Sequence, residues 1–118
     1  MSNGWHILRD DGRYVLARRL PARFDIEATS AFPPLDPARL ARQVRQDVWR
    51  ALKCLRGFTP VVEITCGQMG VIVRAGGQMA NGAAIPPTAH RDLAELLSDP
   101  AHRARWSRWA GKRRRGRA

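Results

Sequence analysis

The chain has 118 residues, with 21 lysines and arginines against 10 acidic residues and a formal charge of +11 at neutral pH. That length holds one hydrophobic core, and a 44% share of hydrophobic residues excludes a chain that is disordered throughout. So large an excess of one sign opposes compaction unless a counter-charge is at hand, which directs attention to nucleic acid, an anionic membrane surface or an acidic protein.

Residues 5–20, WHILRDDGRYVLARRL, set two β-prone runs on either side of Asp11-Gly12, a dipeptide that tolerates the positive φ angles of a tight turn. A β-hairpin is predicted, with Trp5, Ile7, Tyr14 and Leu16 on one face and Leu8, Val15 and Ala17 on the other. Arg9, Arg13, Arg18 and Arg19 charge this hairpin, although arginine on a sheet edge also guards against edge-to-edge pairing. Residues 21–34, PARFDIEATSAFPP, have proline at both ends and no sustained period, which predicts a connecting loop pinned by Phe24, Ile26 and Phe32.

Asp36 to Arg56 predicts a long amphipathic helix. Asp36 supplies an N-cap oxygen, Pro37 occupies the first helical position, Gly57 is placed as the αL cap and Pro60 blocks continuation. Leu40, Val44, Val48, Ala51 and Leu55 form the stripe that seeks a core. On another face Arg42, Arg45, Lys53 and Arg56 surround Trp49. A cationic face with a large aromatic in it suits a polyanion that also offers flat rings. A solvated helix whose tryptophan lies over the edge of the core would carry the same letters.

A second strand pair is predicted from residues 60–66, PVVEITC, through a turn containing Gly67 and Gly70 to a return strand over Val71 to Ala75. Glu63 has Arg74 as a cross-strand partner, and Gly76, Gly77, Asn81 and Gly82 predict a loop. Thr88 is placed as the cap of a short helix with Leu93, Leu96 and Leu97 buried, and Asp99-Pro100 starts another helix that ends near Ala110. Trp106 and Trp109, three apart on that helix, are read as packing residues. Lys112, Arg113, Arg114, Arg115 and Arg117 make the C-terminal residues 112–118 a like-charge, flexible tail.

The order ββαββα predicts an α+β fold, a four-stranded antiparallel sheet with helices packed on one face, in a single domain over residues 1–111. A homodimer could form through the uncovered sheet face or the tryptophan pair. Cys54 and Cys66 have no metal-ligand spacing and are expected as buried free thiols of a reducing compartment. No apolar run approaches the roughly 20 residues of a membrane span. Charged residues from Arg9 to Arg13 interrupt the place of a signal peptide, so a cytoplasmic location is expected.

Hydrolytic chemistry needs carboxylates converging on a metal, or a base beside a nucleophile. Asp10 and Asp11 serve a turn, Glu63 has a basic partner, and His6, His90 and His102 have no spacing that fixes ligand geometry. The chain is therefore read as a non-enzyme with no cofactor and no metal. It also lacks the aromatic strand motif of an RRM, the GXXG loop of a KH domain in its required place, and a basic region followed by heptads. The functional expectation is binding of RNA or DNA through backbone phosphates. Arg42, Arg45, Lys53 and Arg56 are the contacts, Trp49 is the stacking platform, and the tail raises affinity. The alternative is an adaptor that docks its basic, tryptophan-bearing surface on an acidic protein.

Overall fold

In the computed structural model, which describes residues 4–80 and 83–111, Gly12 adopts φ +79° and reverses the chain between β1 (His6–Asp10) and β2 (Arg13–Ala17). Ile7 lies opposite Leu16 and Leu8 opposite Val15, the facing that the hairpin pattern predicts. The remaining elements are β3 (Ile26–Phe32), α1 (Pro37–Leu52), β4 (Phe58–Cys66), β5 (Val71–Met79), α2 (Pro87–Ser98) and α3 (Pro100–Ala110). The strands form one antiparallel sheet in the order β1-β2-β4-β5-β3, and the helices cover one of its faces.

The fold is α+β as expected, with five strands where four were predicted. The extra strand is β3, which lies inside the segment expected to be a loop. Its inward positions are Ile26, Ala28, Ser30 and Phe32, so the period of two is present but its middle is written in residues too small to register as apolar. A second correction concerns Gly76 and Gly77, which belong to β5 rather than to a loop. A Cβ at Gly76 would stand 1.9 Å from the Ile26 carbonyl oxygen, and one at Gly77 would stand 2.2 Å from that of Thr59. Glycine is needed there because neighbouring strands approach closely.

The connection from β2 to β3 spans two intervening strands. It crosses the face opposite the helices, where Ala22 and Phe24 pack on Val15, Ala17 and Val61. Gln78 Nε2 donates to the carbonyls of Arg19 (3.3 Å) and Pro21 (3.2 Å), and the Met79 amide donates to Asp25 Oδ2 (2.7 Å). These bonds tie the crossing to the sheet and thereby fix where Arg18 and Arg19 emerge.

On the helix side, the Arg39 amide donates to Asp36 Oδ2 at 2.9 Å, the expected N-cap of α1. The buried stripe is Leu40, Ala41, Val44, Val48 and Leu52; Ala51 is exposed, contrary to expectation. The helix stops at Leu52, short of the predicted Arg56. The Leu55 amide donates to the Leu52 carbonyl and that of Phe58 to the Leu55 carbonyl, tight turns that bring Leu55 against the core. Gly57, at φ +81°, serves this turn and does not cap the helix.

Pro86, not Thr88, stands at the cap of α2, with no side-chain cap bond. Asp99 caps α3 as expected, accepting from the His102 amide at 3.0 Å. The tryptophan pair divides, with Trp106 fully buried and Trp109 58% exposed. Trp106 Nε1 donates to Asp47 Oδ2 of α1 at 2.7 Å, and Arg105 and Arg50 also donate to that carboxylate. This buried acid joins α1 to α3. Cys54 and Cys66 are free and exposed rather than buried, because one falls in the turn after α1 and the other at the end of β4. Among the described residues, no helix is long and apolar enough to cross a membrane.

Candidate functional site

Val44 and Val48 face the sheet, so the residues that follow them, Arg45 and Trp49, emerge at the margin where α1 meets the sheet. They stand four residues apart and are therefore neighbours on the helix surface. Opposite them the chain leaves β2 through Arg18 and Arg19, while Trp5 precedes β1 and Phe58, Thr59 and Pro60 begin β4. Together these residues line a groove of about 550 Å³. That is within the roughly 300–1,000 Å³ range of small-ligand sites.

Two rings organise the groove in different ways. Trp5 is engaged by cations, with the guanidinium carbon of Arg45 4.7 Å and that of Arg18 5.5 Å from its centroid. Such contacts hold the long arginine side chains in place while leaving their N–H groups available. Trp49 is stacked on Phe58, with centroids 6.4 Å apart and planes within 9°, an offset arrangement of rings. It remains 43% exposed, so ring surface is open to the groove and to solvent.

The electrostatics of the groove are one-sided. Partial burial, followed by the charges of Arg42 and Arg18, lowers the pKa of Arg45 from the ordinary arginine value. Among the described residues no carboxylate forms an ion pair with Arg18, Arg19, Arg42 or Arg45. Arginine stays protonated under such pressure, so an anion entering here would relieve the repulsion.

Arginines on the uncovered face of the sheet are arranged differently. Arg74 donates from Nε (2.6 Å) and Nη2 (3.0 Å) to Glu27 in a bidentate pair, and its Nη1 reaches Glu63 at 3.5 Å. Arg13 also pairs with Glu63, and Arg74 lies 4.1 Å from the Phe24 ring centroid. The hydrogen bond from Arg74 holds the Glu27 carboxyl below its usual range, against a smaller opposing effect of burial. The cross-strand pairing of Glu63 with Arg74 is the one read from sequence, and Glu27 is its stronger competitor.

Of the expected contacts, the structure brings Arg45 and Trp49 into the groove and places Arg42 close enough for its charge to act on Arg45. Lys53 and Arg56 are exposed but do not line it, because α1 ends before they can continue its face. Lys112, Arg113, Arg114, Arg115 and Arg117 lie outside the described residues. The sequence counts the first hairpin's arginines, Arg18 and Arg19 among them, as a basic element that could share a surface with the helix face and the tail, but does not single them out as contacts, and it misses Trp5 and Phe58. The available signal was the Arg-Arg pair immediately after a strand. Among the described residues, no group of three His, Cys, Asp or Glu side chains gathers as a metal ion would require. Comparison with protein-family models, curated proteins and solved structures gives no match, so the groove is interpreted on its own chemistry.

Proposed function

We propose that the protein binds nucleic acid through backbone phosphates, at the groove formed by α1, the end of β2 and the start of β4. The observation that carries this reading is the gathering of Arg18, Arg42 and Arg45 without a carboxylate partner among the described residues. A guanidinium fork fits phosphate oxygens at two points, and each phosphate neutralised releases condensed counterions. Arg19 extends the cationic rim, and the tail from Lys112 to Arg117 adds charge along the strand. No base sequence is read by contacts of this kind.

The test is titration of labelled single-stranded RNA and duplex DNA at about 50 and 200 mM salt, a range over which phosphate-dominated binding weakens sharply. The full chain, a version ending at Gly111 and Arg42→Glu/Arg45→Glu are compared. A steep salt slope that the helix substitutions flatten, with the thermal transition retained, supports the groove. Binding that only the tail controls, or no binding at either salt, contradicts it and points to an acidic protein as the partner of the folded body.

A further inference from the structure

Phosphate contacts alone would leave Trp49 without a task, and its geometry goes beyond them. Its ring is backed by Phe58 in a near-parallel stack and is still 43% exposed, beside Arg45 on the adjacent turn of α1. Trp5, by contrast, is already engaged by Arg18 and Arg45. The two tryptophans therefore divide the work. Trp5 positions the guanidiniums, and Trp49 offers a supported flat surface beside them.

A flat surface within reach of a phosphate clamp matches one nucleotide of a strand whose bases are unpaired. In a duplex both faces of each base are covered by its neighbours, so stacking on a side chain requires unstacking the helix first. In a single strand the base is free to turn onto the ring, and stacking tolerates every base because each has a π-face. Resting on the nucleic-acid reading above, we infer that the groove takes single-stranded nucleic acid, with one base stacked on Trp49 and its phosphate held by Arg18 and Arg45. Partial burial of Arg45 beside Arg42 and Arg18 adds to the attraction for that phosphate. Trp49 is half-exposed and is not itself one of the core residues, but it covers Phe58, which is, so the thermal transition of each Trp49 variant is part of the test.

The experiment measures affinity for three probes of equal length: oligothymidylate, an abasic deoxyribose-phosphate strand and a duplex. The full chain is compared with Trp49→Ala and Trp49→Phe, and each variant's thermal transition is recorded. The inference predicts that the unmodified protein binds oligothymidylate more tightly than the abasic strand, a comparison that needs no variant. Trp49→Ala should weaken oligothymidylate binding by roughly 5- to 150-fold, the worth of one base on an aromatic ring. Affinity for the abasic strand and the duplex should stay unchanged, and Trp49→Phe should restore most of the loss.

Equal affinity for oligothymidylate and the abasic strand would overturn base stacking; if binding is still salt-dependent and lost in Arg42→Glu/Arg45→Glu, the phosphate reading stands without it. Trp49→Ala weakening all three probes alike would assign the residue to shaping the groove and also overturn the inference. Absence of binding to every probe, and to the single-stranded RNA of the titration above, would remove both readings together.

Discussion

Two arginine clusters flank this sheet, and they differ in one respect that matters. On the uncovered face Arg13 and Arg74 are locked by Glu63 and Glu27, with Phe24 beneath Arg74. At the groove Arg18 and Arg45 lie against Trp5 in similar cation–π contact, but no carboxylate answers them among the described residues. Composition counts these arginines alike. What separates a stabilising cluster from a candidate site is where the acids fall, because a paired guanidinium has spent its N–H groups on its own protein.

The comparison predicts that removing an acid harms stability and removing a groove arginine harms binding. The largest effect is expected at Asp47, the most buried of the paired acids, which accepts from Trp106, Arg105 and Arg50. Asp47→Ala leaves those donors unanswered and should cost about 3 kcal/mol, tempered by the partial exposure of Arg105. The melting temperature should fall by about 12 °C at about 4 °C per kcal/mol for a domain of this size.

Next comes the groove. Arg18→Ala/Arg45→Ala should reduce affinity for single-stranded RNA by about 100-fold, roughly tenfold for each lost contact. The salt slope should flatten by about 0.7, the value for one phosphate on a single strand, since the two arginines share it. The melting temperature should hold or rise, since Arg45 sits against the charges of Arg42 and Arg18. Arg13→Ala/Arg74→Ala should show the reverse, with lower stability and unchanged affinity. If the two double variants behave alike, the distinction between the clusters fails.

A smaller effect is expected from Glu63→Gln, which weakens two partly exposed pairs at once. It should cost about 1 kcal/mol, or about 4 °C in the melt. The same change frees the charge of Arg13, while Arg74 keeps its bidentate pair with Glu27, so the salt slope for RNA should steepen slightly as the paired face becomes a weak second site.

The smallest effect is in acid. The bond from Arg74 lowers the pKa of Glu27 from its ordinary value of 4.5. Its contribution is therefore complete above that value and is lost as pH falls through the folded-state pKa. Thermal melts from about pH 6 to about pH 3 should show stability declining at the acid end, and Glu27→Gln should flatten part of that decline. The groove arginines remain charged throughout this range.

Legibility in the sequence follows the range of the interactions. The Asp11-Gly12 turn and the caps at Asp36 and Asp99 are written in adjacent residues, and each occurs where its local chemistry places it. β3 was hidden because Ala28 and Ser30 occupy its inward positions, where only the neighbouring strand β5 reveals the alternation. The groove was half legible. Arg45 and Trp49 share a helical period, whereas Trp5 and Arg18 reach them only after the sheet has assembled and the crossing loop is tied down. Lys53 and Arg56 misled for the complementary reason: a helical period was extended past the turn that ends α1 at Leu52.

The most direct measurement follows the arginine Nε–H resonances by NMR while single-stranded RNA is added to the full chain. The account predicts that Arg18 and Arg45 shift with saturating dependence on RNA, while Arg13 and Arg74, held by their carboxylates, stay in place. Shifts confined to Arg13 and Arg74, or no shifts among these four side chains as RNA binds, would contradict the claim that the cluster without a carboxylate partner among the described residues is the site.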